Sequence, residues 1–167
     1  MTIENTLARL FGLEGDDWLR HANPTSVYTR FTVLPLIVVS AWSRVWIGVY
    51  FLVPLGLTLL WTFLNPRLFP EPDSLDNWAS KGVLGERIWK DRAEHDISQA
   101  WARGVNALNA LNAVGTVPFL VGLYQLNVWM TATGLVITFL AKLWFFDRMV
   151  WLFEDTGDLE DVRPTTG

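Results

Sequence analysis

Apolar positions in this chain gather into two long blocks. Phe31 to Leu64 carries one charged residue, Arg44, in 34 positions, and Val105 to Leu140 carries none in 36. A helix needs about 20 apolar residues to cross a bilayer core, so each block is long enough to cross twice. The pattern predicts four spans, at about 27–43, 45–64, 105–124 and 128–146. Trp42-Ser43-Arg44-Val45-Trp46 supplies the first tight turn, where two indoles and one guanidinium suit the headgroup level, and Gln125-Leu126-Asn127 the second. Ile3, Leu7, Leu10 and Phe11 fall on one face of a short amphipathic helix over Met1 to Leu13, which suits an interfacial position. Pro24 fits a first helical turn, where its missing N–H costs nothing, and Asn65-Pro66 is expected to end the second span. The polar stretch that follows opens with the rigid Phe69-Pro70-Glu71-Pro72. It continues over Asp73 to Arg92 as one or two short helices broken around Gly82 and Gly85, and Asp96 or Ser98 can cap the next helix.

The two blocks read as copies. Displaced by 83 positions without a gap, Trp18–Phe63 falls on Trp101–Phe146, and 13 of the 46 pairs are identical, including Trp18/Trp101, Asn23/Asn106, Pro35/Pro118 and Trp61/Trp144. The expected organisation is a single membrane domain. It has an amphipathic segment over 1–17, a first copy over 18–64, a connection over 65–100, a second copy over 101–146 and a tail over 147–167. Four crossings leave both termini and the connection on one side, which then holds twelve of the thirteen Lys and Arg, all but Arg44. Basic loops stay cytoplasmic, so that side is expected to be the cytoplasm and the membrane the cell membrane. An even number of crossings per copy makes the repeat parallel. The predicted fold is therefore all-α: an integral membrane four-helix bundle of two parallel-repeat hairpins with short interfacial helices.

Composition sharpens this picture. Ten Trp residues in 167 are unusual for a soluble domain, and the absence of Cys removes disulfides and thiolate metal sites. The N-terminus lacks the basic start and apolar run of a cleavable signal. Basic residues are interleaved with acids, with no basic stripe for nucleic acid. Three clusters carry chemistry. Asn106, Asn109 and Asn112 recur every third residue and are expected to share one helix face, either joining helices or lining a polar path. Arg30, Lys142, Asp147 and Arg148 stand at the cytoplasmic ends of spans, and Arg30 and Lys142 have apolar counterparts in the other copy, Ala113 and Leu59. His21 and His95 with one acid could supply three metal ligands, but no metal-ligand spacing is present and no metal or cofactor is assigned. Gly82-Val83-Leu84-Gly85-Glu86-Arg87 lacks the Lys-Ser/Thr of a phosphate loop.

Four strings go further. His21-Ala22-Asn23-Pro24, Asn65-Pro66-Arg67-Leu68-Phe69-Pro70-Glu71-Pro72, Lys81-Gly82-Val83-Leu84-Gly85-Glu86-Arg87 and Lys142-Leu143-Trp144-Phe145-Phe146-Asp147-Arg148-Met149 resemble a family of small prokaryotic membrane proteins of unknown function, common in haloarchaea. The resemblance implies a multi-spanning protein without an assigned activity. It draws attention to His21, Asn23, Glu86, Arg87, Lys142, Asp147 and Arg148. The favoured expectation is a non-enzymatic bundle that associates with itself or with a larger membrane complex in the lipid bilayer. A small transporter or channel with an Asn-lined path is the first alternative. A membrane-surface enzyme acting on lipid headgroups through His21, Glu86, Arg87 and Asp147 is the second.

Overall fold

A computed structural model describes residues 17–93 and 95–156, and every regular element in them is helical. The expected N-terminal amphipathic helix and the acidic end of the tail lie outside the described residues. In order, the elements are α1 (Asp17–His21), α2 (Pro24–Arg30), α3 (Val33–Trp42), α4 (Arg44–Ile47), a 3₁₀ turn (Gly48–Phe51), α5 (Leu52–Leu68), α6 (Trp78–Lys90), α7 (Gln99–Gln125) and α8 (Val128–Thr156). Three stretches are long and apolar enough to cross a membrane: Pro24–Leu68, Gln99–Gln125 and Val128–Thr156.

The second apolar block forms two unbroken helices. Ser98 caps α7, accepting from the Trp101 N–H at 3.3 Å. The helix ends where Leu126 turns left-handed, with φ 56°. Asn127 then caps α8 through Met130 N–H at 3.0 Å. Beyond the expected end at residue 146, α8 continues to Thr156, because Phe146, Met149, Val150 and Phe153 keep an apolar stripe buried at helical spacing.

In the first block the expected spans are broken, and proline and glycine chemistry accounts for it. Pro35 has no N–H for the Phe31 carbonyl and its ring crowds that carbonyl, so the helix interrupts at Phe31–Thr32 before α3. The expected tight turn at Trp42–Trp46 is longer than predicted. Gly48 sits at φ 57°, ψ −135°, a conformation open to glycine and costly for any other residue. The chain reverses over Ser43–Phe51, and α5 starts at Leu52 instead of near Val45, with Pro54 harmless in its first turn. Ser40 of α3 faces Thr58 of α5, their hydroxyls 3.3 Å apart. Helix α5 also runs through Pro66 to Leu68 rather than stopping at Asn65.

The described residues form two compact units. The first contains residues 17–29, 63–96 and 146–156. The second contains Arg30–Thr62 and Ile97–Phe145. In the second unit, α7 and α8 pack closely enough that a Cβ added to Gly115 would stand 2.7 Å from Ile137 Cγ2 and 2.8 Å from Thr138 Oγ1. One added to Gly134 would run into the Phe119 backbone. These glycines let two helix backbones approach, the usual role of small residues between membrane helices. Arg44 lies in this unit too. Its guanidinium donates to the Leu123 carbonyl at 2.6 Å and to that of Tyr124, two of the last carbonyls of α7. The single charge of the first block thus caps a helix of the second.

Candidate functional site

The first unit holds a polar core built from four pieces of chain. Asn23 caps α2, its Oδ1 accepting from Thr25 N–H at 2.9 Å and from Ser26 N–H at 3.4 Å. Its amide group donates to the Pro70 carbonyl at 2.9 Å, which ties the Pro-rich connection to the start of α2. One turn on, the buried Ser26 hydroxyl donates to Asn65 Oδ1 at 2.8 Å. The Asn65 amide donates to Thr29 Oγ1 at 2.7 Å, and the Thr29 hydroxyl in turn donates to the Thr25 carbonyl at 2.7 Å. Asn65 and Ser26 are fully buried, so these bonds answer the cost of taking polar groups out of water.

Helix α6 is anchored in the same core. Asn77 is its cap, accepting from Ser80 N–H at 2.9 Å, and its amide donates to the Ser80 hydroxyl at 2.9 Å. Ser80 then donates to the Ala22 carbonyl at 2.6 Å, joining α6 to the end of α1. Gly82 and Gly85, expected to break this region, are buried inside one continuous helix. A Cβ on Gly85 would run into the Met149 carbonyl, and one on Gly82 into the Phe146 ring. The two glycines are contact points for α8, and close packing outweighs their low helix propensity, about 1 kcal/mol each. Trp78 closes the core: its indole N–H donates to Asp147 Oδ1 at 3.2 Å, and its ring stacks on Tyr28 and tilts against Phe146.

Outside this core, Lys81 bridges Asp76 at 2.8 Å and Glu154 at 3.1 Å. The hydrogen bond from Lys81, then its charge, holds the Asp76 carboxyl below its ordinary value. The bonds to Asp76 and Glu154 raise the Lys81 ammonium, against a smaller desolvation effect.

The residues singled out from sequence divide between the two units. His21, Asn23, Glu86, Arg87, Asp147 and Arg148 fall in the first; Arg30, Asn106, Asn109, Asn112 and Lys142 in the second. His21 is buried at the end of α1, Asn23 is a helix cap, and Asp147 holds the Trp78 indole. Glu86 and Arg87 are half-buried on α6, and no hydrogen bond or ion pair among the described residues links either to His21 or Asp147. Arg148 lies over the Trp151 ring, and Lys142 is exposed over Phe145. Arg30 sits in the last turn of α2, where a cation complements the helix dipole.

The asparagine row does not share one face. A spacing of three falls short of a 3.6-residue turn, so each step rotates by about 60°. Asn112 turns toward α8 and donates to the Thr138 carbonyl at 3.1 Å. Asn109 and Asn106 rotate outward and are exposed. His95 is exposed, and among the described residues no three His, Asp or Glu side chains gather into a metal-binding group.

Ser26, Thr29, Asn77 and Ser80 were not expected from the sequence, Asn65 was expected only to end a span, and Arg44 only to sit at the headgroup level. One available signal was Asn65, a carboxamide at the end of a long apolar run, where a polar group needs a partner.

Among the described residues the chain is all-helical, with three membrane-capable stretches and a bonded polar core, and this defines the class. Residues 2–166 match the Family of unknown function (DUF6653), and the chain belongs to that family. No curated protein and no solved structure matches it.

Proposed function

We propose that the chain is a multi-pass protein of the cell membrane that crosses four times as two hairpins, with both termini and the 65–100 connection in the cytoplasm. Its work is that of a non-enzymatic bundle, associating with itself or with a larger membrane complex. The observation that carries this reading is where the chemically capable side chains go. Asn23, Asn65, Ser80, Asn112 and Asp147 each spend their hydrogen bonds on a neighbouring segment of chain. A transport path or a headgroup-cleaving site needs such groups turned together toward a space. The bond from Arg44 to the end of α7 supports the topology, since it brings both predicted turns to one end of the second unit. The one basic residue on the expected outer side is then held by helix carbonyls.

Native mass spectrometry of the protein extracted gently from its own membranes tests the function. A homo-oligomer, or a complex with other subunits, is expected. A lone chain carrying a stoichiometric small molecule would overturn the reading in favour of transport or catalysis. The topology has its own test. The chain has no cysteine, so Ser43→Cys and Asp91→Cys are single labelling sites. A membrane-impermeant maleimide should label the first in intact cells and the second only after lysis.

A further inference from the structure

Helix α7 turns one face toward α8 and leaves another uncovered. The covered face carries Leu108, Gly115, Phe119 and Gly122, all buried. The uncovered face carries Asn106, Asn109, Ala113 and Leu120, all exposed. The side chains of Asn106 and Asn109 make no hydrogen bond with a described residue. Their depth gives this weight. Counting back from Gln125 at 1.5 Å per residue, Asn109 lies about 24 Å along the helix and Asn106 about 28 Å, against a hydrocarbon core of about 30 Å. Asn109 is thus inside the core and Asn106 at its edge. Hydrocarbon offers an amide no partner, and a side chain as short as Asn cannot reach the headgroups from one turn inside.

Resting on the self-association proposed above, we propose that this face of α7 is where a second copy of the chain docks, with Asn106 and Asn109 paired across a twofold axis. The chemistry selects a second copy. A carboxamide carries a donor and an acceptor, so it is its own complement. In a twofold interface each residue near the axis meets itself or a close neighbour, and Asn meeting Asn satisfies both. Ala113, one turn beyond Asn109, keeps the backbones close enough for such short side chains to meet. The face carries no charge between Asn106 and Leu120, so nothing on it repels its own image.

Single-cysteine cross-linking in native membranes tests this, read beside the oligomeric state from mass spectrometry. Ala113→Cys places a thiol on the face. Gly56→Cys places one on α5, where an added Cβ meets nothing within 4 Å. Under mild oxidation Ala113→Cys should give a covalent dimer and Gly56→Cys should not. Adding Asn106→Leu and Asn109→Leu to Ala113→Cys should lower the dimer yield by about tenfold, with helix content by circular dichroism unchanged. A wild-type oligomer in which Ala113→Cys fails to cross-link, or links to a different protein, overturns this face while leaving association intact. A wild-type monomer overturns both.

Discussion

Gly115→Ala is the sharpest test of the α7–α8 packing, because the same helix supplies its control. At Gly115 an added methyl would lie 2.7 Å from Ile137 Cγ2, 2.8 Å from Thr138 Oγ1 and 2.9 Å from the Thr138 backbone N. Two of these are side-chain atoms that can turn; the third is backbone and cannot. Ordinary contact begins near 3.4 Å, so the helices must part by about half an ångström at this point, an overpacking cost of about 1–3 kcal/mol. One turn back, the bond from Asn112 to the Thr138 carbonyl is already 3.1 Å long. The same parting takes it to about 3.6 Å, past hydrogen-bond range, and forfeits about 0.6 kcal/mol. Against these stands the helix propensity of Ala, worth about 1 kcal/mol over Gly. The net expectation is destabilisation by about 0.5–2.5 kcal/mol. Gly104→Ala, also in α7, meets nothing within 4 Å and receives the propensity gain alone, up to about 1 kcal/mol. Reversible unfolding in mixed micelles of mild detergent and increasing dodecyl sulfate, followed by far-UV circular dichroism, reads both. The two variants should move in opposite directions. Equal stabilisation would refute the close approach of the two helices at Gly115.

Three further expectations use the same unfolding assay or its thermal equivalent. Asn77→Ala removes the cap of α6 and should cost about 1 kcal/mol, lowering the melting temperature by about 2–4 °C; an unchanged melting curve would argue that α6 is held by packing alone. Arg44→Met leaves the Leu123 and Tyr124 carbonyls without their charged donor and should cost about 1.5–3 kcal/mol, whereas Arg103→Met, an exposed residue bonded within its own helix, should cost far less. The Lys81 bridge gives two pH limbs. Asp76 is depressed, so its contribution is present above 3.8 and lost as pH falls through its lowered value. Lys81 is raised, so its contribution is present below 10.5 and lost as pH climbs through its raised value. Lys81→Met should flatten both limbs in a plot of unfolding midpoint against pH, and limbs that persist would assign them to other groups.

How much could be read from the chain depended on the range of the cause. The α7 and α8 helices run past their expected outer ends, to Gln99 and Thr156, but the turn between them was legible because the Leu126-Asn127 signal is local. Interruptions in the first block were less so. Hydropathy does not register that Pro35 lacks the N–H that would bond the Phe31 carbonyl, or that Gly48 adopts a conformation costly for any other residue. Gly82 and Gly85 resemble breakers until the Phe146 ring and the Met149 carbonyl beside them are known, more than 60 residues away. The polar core was hidden for the same reason: Ser26 and Asn65 are 39 positions apart, and no spacing rule joins them. The asparagine row was visible in sequence, but its division into one inward and two outward side chains follows from small rotations along α7, and the bond to Thr138 fixes their direction.

The bond between Arg44 and the end of α7 also sets an order in time. Tyr124 is synthesised 80 residues after Arg44. At about 5–20 residues per second, the first turn is synthesised roughly 4–16 seconds before its acceptors exist. During that interval the guanidinium must stay hydrated, and it settles only when the second block arrives to be capped. Completion of the first half of the molecule is therefore deferred until the second is made, and the residue that records this dependence is the only charge in the block that waits.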